Sequence, residues 1–120
     1  MAHKDIGTKF LKKYDQLIDH AFNITGSKSE SNRLLILQAL YPSINIKNLS
    51  NSDDTNLMQN ALKSTEQEIN IGHAGTTMRF LTSYFAVKPN SEIILTGSAR
   101  MQERPIKILV DALRSLGAKI

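Results

Sequence analysis

Hydrophobic and polar positions change period several times along the 120-residue chain. Ile18, His20, Phe22 and Ile24 alternate with Asp19, Ala21, Asn23 and Thr25, which predicts a half-buried strand closed by Gly26. From about Ser29 to Leu40 the apolar residues Leu34, Leu35, Leu37 and Leu40 fall at helical spacing, and Pro42 stops the run. "INIKNL" (44–49) alternates again and predicts a second strand. "SNSDDTNLMQNALKS" (50–64) predicts a loop and helix capped by Ser52 or Asp53, with Leu57, Met58, Ala61 and Leu62 in the core.

The same alternation continues to Ile120. "EINI" (68–71) and "EIILTG" (92–97) read as strands. "GHAGTTMRFLTSYFAV" (72–87) reads as loop and helix, and Pro89 and Asn90 as a turn. In "SARMQERPIKILVDALRSLGAKI" Pro105 suits the first turn of a helix. Leu109, Val110, Leu113 and Leu116 form an apolar stripe, and Gly117 stands where a left-handed C-terminal residue belongs. "AKI" reads as the start of one more strand, so the polypeptide is expected to continue past Ile120. About four strand–helix alternations predict an α/β (α+β) fold, a sheet covered by helices. Residues 1–20 are expected to hold a tail and the start of the first strand, and residues 21–120 the folded part.

Composition narrows the chemistry. There is no Cys, which excludes disulfides and thiolate metal sites. His3, His20 and His73 lack metal-ligand spacing, so no metal is expected. A net charge of +4 favours anionic partners. The cations are scattered and seldom interleaved with aromatics, which argues against nucleic acid. No apolar run approaches the roughly 20 residues of a membrane span, and residues 1–20 lack a signal-peptide h-region. A cytoplasmic protein is the expectation.

Three loops carry the candidate chemistry: "TGSKSESNR" (25–33), "GHAGTTMR" (72–79) and "GSARMQERP" (97–105). Each precedes an expected helix and combines small residues with at least one cation. Helix N-termini present unpaired N–H groups and a positive dipole end. Glycine lets backbone approach a ligand, Lys supplies a point charge, and Arg a bidentate fork. Taken singly, the serines serve as caps, the glycines as turns and the arginines as surface residues. Brought together at one sheet edge, the loops would cradle a multiply charged small anion. Neither nucleotide-loop pattern, G-x-x-x-x-G-K-[ST] or G-x-G-x-x-G, is present. Asp53 and Asp54 read as helix-capping residues or, alternatively, catalytic carboxylates.

"GSKSESNR", "NSDD", "AGTTMRFL", "LTGSARMQERPI" and "LVDALRSLGAKI", in this order, resemble the enolpyruvyl transferase family over about residues 20–120. The resemblance implies transfer of the enolpyruvyl group of phosphoenolpyruvate to the 5-hydroxyl of shikimate 3-phosphate, releasing phosphate through a tetrahedral intermediate, with no metal or organic cofactor. It implies inverse α/β domains built from βαβαββ units, of which residues 21–120 would be the incomplete first part of the N-terminal one. By motif, Lys28 matches the lysine that contacts phosphoenolpyruvate and takes part in proton transfer. Ser29 and Arg33 match contacts to shikimate 3-phosphate, Gly75 (flanked by Ala74 and Thr76) a backbone contact to phosphoenolpyruvate, and Arg104 the arginine on its phosphate. Arg79 and Arg100 match motif arginines without a firm role.

The chain departs from that family in places. The family usually has Asn at His73 and often Pro at Phe80, both beside the phosphoenolpyruvate loop. The span from Leu62 to His73 is shorter than in many members. Family members are several times longer, so the opposite wall of the site would lie in a missing C-terminal portion, and the isolated chain is expected to be inactive. Two alternatives stand beside this reading. One is a relative acting on UDP-N-acetylglucosamine, although that group usually carries Asn after the lysine, where this chain has Ser29. The other is a non-catalytic anion-binding fragment.

Overall fold

The computed structural model describes residues 21–120. The tail, His3, and the Ile18–His20 start of the expected first strand lie outside the described residues. Those residues form five helices and two strands: α1 (Lys28–Leu40), α2 (Asp53–Lys63), β1 (Glu68–Asn70), α3 (Gly75–Val87), β2 (Ile94–Thr96), α4 (Ala99–Gln102) and α5 (Lys107–Ser115).

Local chemistry accounts for the helix starts. The Ser27 hydroxyl caps α1 by accepting from the Glu30 N–H, with Ser and Glu at capping-box spacing. Ser52 caps α2 by accepting from the Thr55 N–H, and Asp53 and Asp54 fill its first turn, where carboxylates complement the dipole. At the end of α5, Gly117 (φ 99°) follows Leu116, and the Gly117 and Ala118 N–H groups return to the carbonyls of Arg114 and Leu113. That is a Schellman motif closed by glycine, as its position in the sequence predicts.

β1 and β2 pair in parallel, with Ile69 opposite Leu95. Parallel neighbours need a crossover, and α3 supplies it. The ladder extends through Ile71 N–H to Thr96 O (2.9 Å) and Ser98 N–H to Gly72 O (3.0 Å). The core joins α1, α2, β1 and α3 through Leu35, Met58, Ala61, Ile69, Ile71 and Leu81. Met58, Ile71 and Leu81 are completely buried, each worth about 1.5–3 kcal/mol relative to exposure.

Several expectations are corrected. Residues 21–25 and 44–49 form no strand. Asn48 adopts a positive φ of 54°, which interrupts extended backbone. The two segments are linked by the Asn48 side-chain amide donating to Ile24 O (3.2 Å) instead of a ladder. "AKI" is likewise not a strand, and the Arg114 guanidinium donates to the Ile120 carbonyl. The described residues therefore hold a small mixed helix and strand arrangement with a two-stranded parallel sheet, compatible with an α/β fold.

Helix faces also differ from the pattern. On α1 the buried residues are Ser31, Asn32 and Leu35, whereas Leu37 and Leu40 are largely exposed. The neighbouring start of α2 offers hydroxyls, so α1 turns a polar side to it. On α5 no residue is buried. Leu109, Val110 and Leu113 are half-buried, and Leu116 is exposed. Pro105 precedes the Ile106 N-cap and lies outside α5, its carbonyl taken by Arg79.

Candidate functional site

The N-terminal ends of α1, α2 and α3 converge. Lys28, the first residue of α1, places its ammonium 3.5 Å from the Asp54 carboxylate in the first turn of α2. Asp54 in turn accepts at its backbone carbonyl from the Thr77 hydroxyl of α3 (3.2 Å). The sequence suggested a capping role or a catalytic carboxylate for Asp54, and it is the partner of Lys28.

A buried polar seam sets this convergence. Asn32 Oδ1 accepts from the Thr55 hydroxyl (2.9 Å), and Thr55 and Ser52 share a hydroxyl contact of 2.9 Å. The Ser31 hydroxyl accepts from the Ser50 N–H (2.9 Å), and Ser50 Oγ accepts from the Ser52 N–H (3.2 Å). Buried polar groups need partners, and these residues supply most of them to each other; the Asn32 Nδ2 is buried without one among the described residues. The serines and Asn of "SKSESNR" thus do two things at once: some hold α1 against α2, while Lys28, Ser29 and Arg33 remain exposed. A signal for the seam was present in Asn32 and Thr55, but only the fold pairs them.

Arg33 is held at both ends of its guanidinium environment. Its Nη1 donates to Ser29 O (2.8 Å), and its Cζ sits 5.3 Å from the Phe80 ring centroid on α3, within cation–π range. Phe80, one of the departures from the family pattern, therefore supports one of the candidate binding residues.

The second and third loops meet at α3. Ala74 caps α3 without a side-chain hydrogen bond, so its first-turn amides at Gly75 and Thr76 are free of capping hydroxyls. Gly75 is buried and Thr76 exposed. A Cβ at Gly75 would overlap Nη1 of Arg104, with Arg79 Nη1 3.7 Å away. Arg79 donates to Gly75 O and Pro105 O (3.3 Å each), tying the first turn of α3 to the end of the third loop. Both of its contacts are structural. Arg100 and Arg104 line one cavity of about 280 Å³ together with His73, Ser98 and Met101. His73 also borders the hollow beside Asp53 and Asp54. Ser29, Arg33 and Lys28 gather around the start of α1, and Gly75, Thr76, Arg79, Arg100 and Arg104 around the start of α3. Asp54 and Thr77 bridge the two groups.

The arrangement is suited to anions: Lys28 and Arg33 are exposed at the start of α1, and Arg104 lies beside the uncapped first turn of α3. Among the described residues no cluster of three or more His, Asp or Glu could hold a metal ion. Among them, too, no helix is long and apolar enough to cross a membrane.

Comparison with known proteins agrees with the motifs. Residues 63–120 match the model of the family of EPSP synthase (3-phosphoshikimate 1-carboxyvinyltransferase). A 3-phosphoshikimate 1-carboxyvinyltransferase of Bacteroides fragilis is 46% identical over 113 residues, which are 93% of this chain and 27% of that protein. The enzyme of the same name from Histophilus somni is 41% identical, covering 86% of this chain and 31% of its own length. A pentafunctional AROM polypeptide of Komagataella phaffii is 47% identical, covering 79% of this chain and 8% of its own. The sheet edge and its cationic loops define a surface suited to anions. Residues 63–120 thus fall within the EPSP synthase family model, and most of the chain is similar to enzymes of that name. It spans about a quarter to a third of the length of the single-enzyme relatives it matches.

Proposed function

We propose that this chain is the N-terminal part of a 3-phosphoshikimate 1-carboxyvinyltransferase (EC 2.5.1.19) and supplies one wall of its active site. The whole enzyme would move the enolpyruvyl group of phosphoenolpyruvate to the 5-hydroxyl of shikimate 3-phosphate and release phosphate. Such an enzyme would serve aromatic amino acid biosynthesis, in the cytoplasm. In this reading residues 21–120 are the incomplete first part of an inverse α/β domain made of βαβαββ units.

The observation that carries the reading is the convergence of the Lys28 and Arg104 loops at helix starts tied together by Asp54 and Thr77. Both proposed substrates are anions. Lys28 meets phosphoenolpyruvate and takes part in its proton transfer, Asp54 holding the ammonium at the α2 start until substrate arrives. Arg104 takes the phosphate of phosphoenolpyruvate, beside the amides of Gly75 and Thr76. Ser29 binds shikimate 3-phosphate, and Arg33, fixed by Ser29 O and Phe80, takes its carboxylate. Fixed cations stabilise charge that develops at the transferred group. Arg79 braces the loop that carries Arg104, and Arg100 lines the adjoining cavity.

The test has two parts. In an NMR titration of the 120-residue chain, shikimate 3-phosphate should shift Lys28, Ser29 and Arg33, and UDP-N-acetylglucosamine should not. A chimera in which this chain replaces the matching stretch of the Bacteroides fragilis enzyme should release phosphate only when both substrates are present, and the isolated chain should release none. Shifts with the nucleotide sugar alone would assign the chain to the sister activity. No shift with any phosphorylated metabolite would leave a non-catalytic fragment.

A further inference from the structure

Arg33 takes its position from two helices. On its own, α1, its Nη1 donates to Ser29 O (2.8 Å). On α3, the Phe80 ring lies beneath its Cζ, 5.3 Å from the centroid, within the reach of a cation–π contact. Phe80 is half-buried and packs against the core that contains Leu81 and Met58. The ring is therefore the fixed member of the pair. The guanidinium belongs to an exposed residue and is the member that needs holding, because a long side chain has many rotamers to lose.

The kind of contact matters as much as its place. A guanidinium carries its N–H donors in one plane as a fork. Ser29 O uses one of them, while the ring attracts the delocalised charge without an oxygen to compete for the others. Among the described residues no carboxylate lies within ion-pair distance of Arg33. Lys28 is the contrast: the Asp54 carboxylate holds its ammonium at 3.5 Å, and an incoming anion must displace that partner. Arg33 is held with no such competitor, so donors that suit a planar carboxylate stay open. α3 is tied down on other sides too, by Thr77 to Asp54 O (3.2 Å) and by Arg79 to Pro105 O (3.3 Å). The helix whose first turn presents Gly75 and Thr76 thus also sets where Arg33 stands.

We infer that Phe80 is a positioning residue for Arg33: its ring, carried by α3, orders the guanidinium before ligand arrives and leaves its fork open to a carboxylate. The inference rests on the proposed function, in which Arg33 takes the carboxylate of shikimate 3-phosphate. It adds the residue that aims Arg33 and that registers the α1 loop against the start of α3. Because the contact exists without ligand, its effect is the ordering cost that binding no longer meets, about two- to tenfold in affinity for one long side chain.

The test compares the 120-residue chain with Phe80→Leu, Phe80→Tyr, Arg33→Gln and the Phe80→Leu/Arg33→Gln pair. Two quantities are measured by NMR: the order parameter of Arg33 Nε without ligand, and the affinity for shikimate 3-phosphate. Phe80→Leu should loosen Arg33 Nε and weaken binding about two- to tenfold. Phe80→Tyr keeps the ring and should keep both. In the Arg33→Gln background, adding Phe80→Leu should weaken binding no further, because the ring then has no guanidinium to hold. Arg33 Nε equally ordered in Phe80→Leu, or affinity unchanged by it, would overturn the inference while leaving the proposed function standing. A further loss of the same size in the Arg33→Gln background would reduce Phe80 to a general packing role and overturn it too. No binding of shikimate 3-phosphate by the unsubstituted chain removes the proposed function and, with it, the carboxylate for which Arg33 is held.

Discussion

The guanidinium of Arg104 occupies the space that a side chain on Gly75 would need. The loop that ends in Arg104 and the first residue of α3 are therefore fitted to one another through the absence of a Cβ. Arg104 is exposed and its side chain is long, so it can give way where backbone could not. In Gly75→Ala the fold should survive, with a stability change of no more than about 1 kcal/mol in urea denaturation. Affinity for phosphoenolpyruvate or sulfate should fall about tenfold, the size of one charged hydrogen bond. Unchanged anion affinity, measured by NMR titration, would remove Arg104 from the proposed site.

Lys28 and Asp54 invite the opposite comparison. Their side chains are 48% and 27% exposed, and ion pairs open to water contribute about 0–1 kcal/mol. Lys28→Met should thus leave the urea midpoint nearly unchanged while weakening anion binding. Asp54→Asn releases the ammonium from its competitor, so anion affinity should rise about two- to fivefold. A fall instead would mean that Asp54 aims Lys28 at its ligand.

Thr55 is completely buried between Asn32 and Ser52. Thr55→Val keeps the shape, removes the donor to Asn32 and leaves polar atoms unpaired, which should cost about 1–3 kcal/mol. Thr55→Ser restores the hydroxyl and should recover most of the loss. If Val and Ser behave alike in chemical denaturation, packing rather than hydrogen bonding holds the seam.

Met58 and Ile108 separate the core from the outer face. Met58 is 0% exposed and Ile108 88% exposed. Met58→Ala should destabilise by about 2–5 kcal/mol, whereas Ile108→Glu should change stability by no more than about 0.5 kcal/mol. Thermal melts of the two variants beside the unsubstituted chain are sufficient to check both.

The helices were legible because their signals are local. Ser27 with Glu30, Ser52 with two aspartates, and Gly117 after an apolar stripe each act within one turn. Strands were legible only where a partner exists: Ile69 and Leu95 find one another, but 44–49 alternates just as well and pairs with nothing among the described residues. The α1 face was misread because apolar spacing points to Leu37 and Leu40, while what α1 meets is Thr55 and the Ser50–Ser52 loop. Loop motifs announced the cations of the candidate site. Their alignment was not legible, since Lys28 to Asp54 and Gly75 to Arg104 each join residues more than 25 positions apart.

The polar seam between α1 and α2 also has a thermal meaning. Burying apolar surface gives unfolding its large positive heat-capacity change, whereas burying polar surface subtracts from it. Ser31, Asn32, Ser50 and Thr55, all buried, therefore give the α1–α2 joint a flatter dependence of stability on temperature than the Met58–Ile71–Leu81 core. Cooling weakens apolar packing but spares this joint. The geometry around Lys28 should accordingly hold its shape toward low temperature better than the sheet on which α3 and the Arg104 loop are mounted.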